Sequence, residues 1–168
     1  MTPHASAGNK SFWRRRIVEP LADQLKQGAS PEKLAQSLAW GVALGVFPIL
    51  GTTSFLCGIA GVILKLNHIA MQTVNWLLYP LQIALIIPFL RFGNILFQHE
   101  QFDLSIAQIS ARFAGDFITA TREFGGLALR GIAAWALVAI PVIWILSRIL
   151  LPPIRHLAVK VFPKSTHL

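Results

Sequence analysis

The residues able to do chemistry in this sequence are few, neutral and set inside apolar runs. Thr52, Thr53 and Ser54 follow Pro48 and Gly51 in "GVFPILGTTSF", and Asn75 and Gln82 flank Pro80 in "NWLLYPLQ". Hydroxyls and amides in such surroundings either bond neighbouring helices or line a path for a polar group crossing apolar material. Pro48, Gly51, Thr52, Thr53, Asn75, Pro80 and Gln82 are therefore the candidate substrate path. Lys65, Asn67 and Arg91 stand at its mouths as candidate contacts to a phosphate-bearing head group. A cation at the end of an apolar run equally suits plain snorkelling to the interface, an alternative open for Arg91.

Other chemistries are disfavoured. There is no carboxylate between Glu32 and Glu100, whereas proton and sodium pathways through membranes commonly use buried Asp or Glu. The interior hydroxyls have only His68 near them in sequence, so no nucleophile–base pair is expected and the chain reads as a non-enzyme. His68, His99 and Glu100 lack the spacing of metal ligands, no glycine-rich phosphate loop is present, and no cofactor or metal is expected. Cys57 is the single cysteine; it excludes an internal disulfide and reads as a buried, inert thiol.

The elements that must position these residues are helices in lipid. Apolar residues make up 54% of the chain and charged ones 13%, about half the charged share of a soluble domain. The expectation is an all-α, multi-pass protein of the membrane. The net charge of +8 is carried by cations that flank the apolar runs, Lys10, Arg14, Arg15, Arg16, Lys26 and Lys33 before them and Arg148, Arg155, Lys160 and Lys164 after. That is the bias of cytoplasmic flanks rather than a nucleic-acid footprint, so membrane lipids are the expected partners and nucleic acid is not. The first apolar run begins near residue 34, too far in for a cleaved signal peptide, and is expected to stay in the mature protein.

Residues 1–33 read as a basic cytoplasmic segment. "FWRRRIV" suits an anionic leaflet, and a short helix runs from Pro20 to a left-handed cap at Gly28. Ser30 caps the next helix, with Pro31 at its first position and Glu32 at its positive end. Residues 34–97 form a core of broken helices: Leu34 to Leu64 is uncharged for about 31 residues, and Leu66 to Leu90 for about 25, where about 20 span the hydrocarbon.

Residues 98–130 predict an amphipathic interfacial helix. It is capped at Asp103, carries the stripe Ile106, Ile109, Phe113, Phe117, Ala120 and Phe124, and is loosened at Gly125-Gly126. Residues 131–152 predict a spanning helix terminated by Pro152-Pro153, and residues 153–168 a basic cytoplasmic tail.

With both basic ends on one side and a single crossing after Gly131, residues 34–90 must make an odd number of net crossings. Two arrangements fit the first run. In one it is re-entrant: Ala39 to Phe47 runs in, Pro48 to Thr53 turns at membrane depth, and Ser54 to Leu64 returns. Such backbone is tolerated only against protein or a wet cavity, and the hydroxyls of Thr52, Thr53 and Ser54 are the nearest groups able to satisfy it. In the other it is one tilted helix kinked at Pro48. "VFP" at 46–48 and "LYP" at 78–80 match as aromatic-proline steps, as in transporters whose interrupted helices meet near the midplane.

The stretch from "SPEK" through "G-x-x-P-x-x-G-T-T" (Gly45, Pro48, Gly51, Thr52, Thr53), Asn67 and the step from Trp76 to Pro80 resembles the bacterial membrane family catalogued as domain of unknown function 2062. The likeness covers roughly residues 30–97. It implies an integral protein of the bacterial inner membrane, sometimes joined to a glycosyltransferase domain, and no established activity. Many members carry Asn-Pro-Leu-Thr where this chain has Tyr79-Pro80-Leu81-Gln82; Gln82 then stands in for the threonine, and Asn75, one turn earlier, for the asparagine.

Two functional readings follow. One is a small transporter or lipid-translocating protein that handles an amphiphilic or phosphate-bearing molecule, a homo-oligomer being expected because one short chain leaves little room for an enclosed path. The other is a non-catalytic anchor or scaffold for an envelope glycosyltransferase or acyltransferase.

Overall fold

The computed structural model describes residues 19–26, 28–98 and 117–161, which form helices and connecting turns without a strand. In chain order they are α1 (Glu19–Lys26), α2 (Pro31–Gly45), α3 (Thr53–Ile63), α4 (His68–Leu77), α5 (Tyr79–Leu96) and α6 (Phe117–Val161).

Local chemistry sets the first boundaries. Gly28, at φ +92°, ends α1, and its N–H donates to the Leu25 carbonyl at 3.0 Å. Ser30 Oγ accepts from the Lys33 N–H, and Pro31 occupies the start of α2, where a missing N–H costs nothing. After Gly45 the chain reverses: Pro48 cannot donate to the turn before it, and Gly51 takes φ +81°, a conformation side chains disfavour. α3 then runs back along α2. Lys33 Nζ donates to the Leu64 carbonyl at 3.1 Å, and the Asn67 N–H to Ser37 Oγ at 2.7 Å. The first apolar run is thus a helical hairpin and not one kinked rod.

α4 runs beside α2 from the same end. Gly41 and Gly45, one turn apart on α2, let the backbones meet: a Cβ at Gly41 would lie 2.9 Å from the Met71 carbonyl oxygen. Small residues at this spacing are a common means of close helix packing in lipid. Only Leu78 separates α4 from α5. Its N–H donates to Val74 and its carbonyl accepts from Gln82, so the two helices form one bent run that passes the hairpin's turn and continues beyond it. α5 and α6 cross where Gly93 meets the backbone of Arg130 and Gly131.

α6 differs from the expectation. It is one helix of 45 residues, continuous through Gly125-Gly126 and through Pro152-Pro153. The glycines lower helix propensity by about 1 kcal/mol each without forbidding the conformation. Past the prolines, Ile154 is buried against Leu25, Leu34 and Ala35, with Leu157 and Ala158 packed alongside. Burying that turn outweighs the two lost hydrogen bonds. Of the amphipathic helix, the stretch from Asp103 through Phe113 lies outside the described residues, and Phe117 to Phe124 are the first turns of α6 rather than a separate element.

The start of the hairpin and the C-terminal turns of α6 share one end of the bundle. There Arg155 donates to Glu32 Oε1 through Nε at 3.0 Å and through a terminal nitrogen at 2.9 Å. Two helical stretches, Tyr79–Leu96 and Arg122–Val161, are long and apolar enough to cross a membrane.

Candidate functional site

Around the turn between α2 and α3 gather Thr52, Thr53, Ser54, Asn75 and Gln82. Pro48 and Gly51 make the turn, and side chains claim two of its carbonyls. Thr52 Oγ1 donates to the Ile49 carbonyl at 3.0 Å. Gln82, only 1% exposed, reaches across from α5 and donates through Nε2 to the Phe47 carbonyl at 2.9 Å and to Ile49 at 3.3 Å. Phe47 itself packs edge-on against Trp135 of α6, ring centroids 4.9 Å apart, while the Trp135 ring N–H donates to the Ala43 carbonyl. The turn is held from three sides.

Beside it lies a cavity of about 320 Å³, lined by Gly51, Thr53, Ser54, Asn75, Trp76 and Tyr79. Asn75 is 3% exposed. Its Nδ2 donates to Ser54 Oγ at 3.1 Å and to Gln72 Oε1 at 3.3 Å, and Gln72 Nε2 donates in turn to the Ser54 carbonyl at 2.9 Å. This closed set of donors fixes the orientation of the Asn75 amide. Its Oδ1 is buried with no hydrogen-bond partner, although a buried acceptor left unmade costs about 1–3 kcal/mol. α3 also starts here without a side-chain cap, because the Thr52 hydroxyl is committed to Ile49. The cavity is therefore lined by two residues with hydroxyls and by a helix N-terminus, and the unpartnered Asn75 oxygen is buried in its wall. At its rim stand Trp76 and Tyr79, 73% and 53% exposed.

Gly51, Thr53 and Asn75 thus share one space, with Pro48 and Thr52 in the turn next to it and Gln82 bracing that turn from α5. Pro80 opens α5 one residue after Tyr79. Lys65, Asn67 and Arg91 are placed elsewhere. Lys65, at φ +52°, sits in the turn after α3, about 16 Å from the cavity end at 1.5 Å per residue. Asn67 caps α4, accepting from the Ala70 N–H at 2.9 Å and donating to Gln24 at 2.6 Å. Arg91 is exposed on the outer half of α5. Gln72, Trp76 and Tyr79 enter the site from the structure; the signal for Gln72 and Tyr79 in the sequence is the three-residue step from Gln72 to Asn75 and the four-residue step on to Tyr79, which share a helix face. Because Tyr79 lines the same space as Asn75, an amide at either position would address it.

The architecture of the described residues is helical, with two helices among them able to span a bilayer by length and composition, organised around a broken turn braced by Gln82 and Thr52. The chain belongs to the family described as an uncharacterized protein conserved in bacteria (DUF2062), which matches residues 14–160. No curated protein and no solved structure matches it.

Proposed function

We propose that this is a small, non-enzymatic protein of the bacterial inner membrane that binds the polar head of an amphiphile in the turn cavity and moves it across the bilayer. In this reading α2 and α3 are a re-entrant hairpin, the bent run of α4 and α5 crosses once, and α6 crosses back. The ends that carry Lys33 and Arg155 then lie on the cytoplasmic side, as the positive bias requires. Trp135 is level with the turn, and from Arg148 to Trp135 is about 20 Å at 1.5 Å per residue. The cavity would sit well inside a hydrocarbon core of about 30 Å.

The observation that carries the reading is the Asn75 oxygen, buried without a partner in the wall of the cavity. At that depth an unmet acceptor is costly, and a head group bearing a hydroxyl or ammonium would satisfy it. Its apolar tail can remain in lipid, since the rim is aromatic and exposed. Trp and Tyr suit such a boundary because one end of each ring is apolar and the other polar.

Reconstituted liposomes test this. The wild-type protein is expected to scramble a fluorescent phospholipid faster than protein-free liposomes, and Asn75→Leu to return the rate to background. Wild-type liposomes no faster than empty ones, or an unimpaired Asn75→Leu variant, would remove the proposal.

A further inference from the structure

A second concave site lies at the opposite, basic end, between the open end of the hairpin and α6. This groove has a volume of about 560 Å³ and differs from the turn cavity in kind. Its wall is apolar, formed by Leu66, Ile140 and Ile143 among others, and its lip carries Lys33 and Arg148. Arg148 lies over the Trp144 ring, 5.5 Å from its centroid, which holds the guanidinium at the groove's edge with no hydrogen bond from its N–H donors among the described residues. Lys33 is positioned by one bond to the Leu64 carbonyl and keeps further donors. No carboxylate is among the described residues lining the groove, and the nearby Glu32 is taken by Arg155.

We propose that this groove binds one anionic phospholipid, its phosphate held by Lys33 and Arg148 and one acyl chain laid along Leu66, Ile140 and Ile143. Charge complementarity selects the head: two cations without a counter-ion among the described residues favour a phosphate whose charge no ammonium cancels, through charge-assisted hydrogen bonds. The apolar wall selects a lipid over a free phosphate, because each buried methylene adds to affinity. The site rests on membrane placement of α6 and is independent of head-group binding in the turn cavity.

Native mass spectrometry of protein in mild detergent, titrated with dioleoylphosphatidylglycerol, dioleoylphosphatidylcholine or glycerol 3-phosphate, tests it. The wild type is expected to retain one phosphatidylglycerol roughly tenfold better than phosphatidylcholine, and glycerol 3-phosphate weakly or not at all. Arg148→Gln and Lys33→Gln/Arg148→Gln should abolish the preference, and Ile143→Trp should block retention of either lipid. Lys65→Gln/Lys160→Gln, with the same change of charge outside the groove, should leave it intact, as should Asn75→Leu. The single Arg148 variant keeps the test decisive if removing Lys33 loosens the hairpin. Equal retention of both lipids by the wild type, tight binding of glycerol 3-phosphate, or equal losses in the two double variants would overturn the proposal. Failure of lipid scrambling alone would leave it standing.

Discussion

Replacing Gln82 by leucine probes what holds a broken turn together deep in the protein. The Gln82 amide serves two carbonyls, Phe47 at 2.9 Å and Ile49 at 3.3 Å. Ile49 keeps the Thr52 hydroxyl at 3.0 Å, so the variant orphans chiefly the Phe47 carbonyl. Leucine is of similar volume, so no large cavity term is added. The expected loss is about 1–3 kcal/mol for one unsatisfied buried acceptor.

At about 3 °C per kcal/mol for a chain of this length, that lowers the unfolding midpoint of the solubilised protein by about 3–9 °C. Thr52→Val alone should cost less, because Gln82 still reaches Ile49. The double variant should cost more than the sum of the two, since only then do both carbonyls lose every partner. Thermal unfolding followed by circular dichroism measures all three. A Gln82→Leu midpoint within 1 °C of the wild type, or strictly additive losses, would refute the idea that this amide sustains the turn.

Three further outcomes are expected. Gly93→Val should destabilise by about 1–3 kcal/mol, because its side chain must push the Arg130 and Gly131 backbone of α6 away, whereas the same change at Gly58, which has open space around it, should cost far less; paired thermal melts compare them. The Glu32 carboxyl is held below its ordinary value of 4.5, first by its backbone hydrogen bond at the start of α2 and then by Arg155. A lowered folded value means that its contribution is present above pH 4.5 and fades as pH falls through the depressed value, so the midpoint difference between wild type and Glu32→Gln should shrink on acidification below pH 4.5. In a Cys57→Ala background, Lys33→Cys and Lys65→Cys should be labelled by an impermeant maleimide from the same side of the membrane; labelling from opposite sides would contradict the hairpin's placement.

Much of the fold could be read locally. Gly28, Ser30, Pro31, Pro48 and Gly51 each act on their own backbone or the adjacent turn, so their types alone mark where helices stop and start. The same local logic misjudged Pro152-Pro153 and Gly125-Gly126. At the prolines the intrinsic tendency to interrupt is overruled by partners distant in the chain, Leu25 and Leu34 beneath Ile154, while the glycines weaken the helix without breaking it. At the site, the sequence pointed to polar residues near the two prolines without sorting them by role.

Composition and charge by themselves determined a helical chain with a first apolar run too long for one upright crossing and a polar, proline-marked break within it, because these properties depend only on neighbours in sequence. Tertiary structure decided which polar groups are spent and which stay free. Gln82 is consumed by carbonyls 33 and 35 residues earlier, and Asn67 by Gln24, 43 residues away. Asn75 instead keeps one buried oxygen without a partner, in the wall of a cavity. A hydrogen bond needs its partner within about 3 Å, and only packing helices far apart in the chain sets which amides find one.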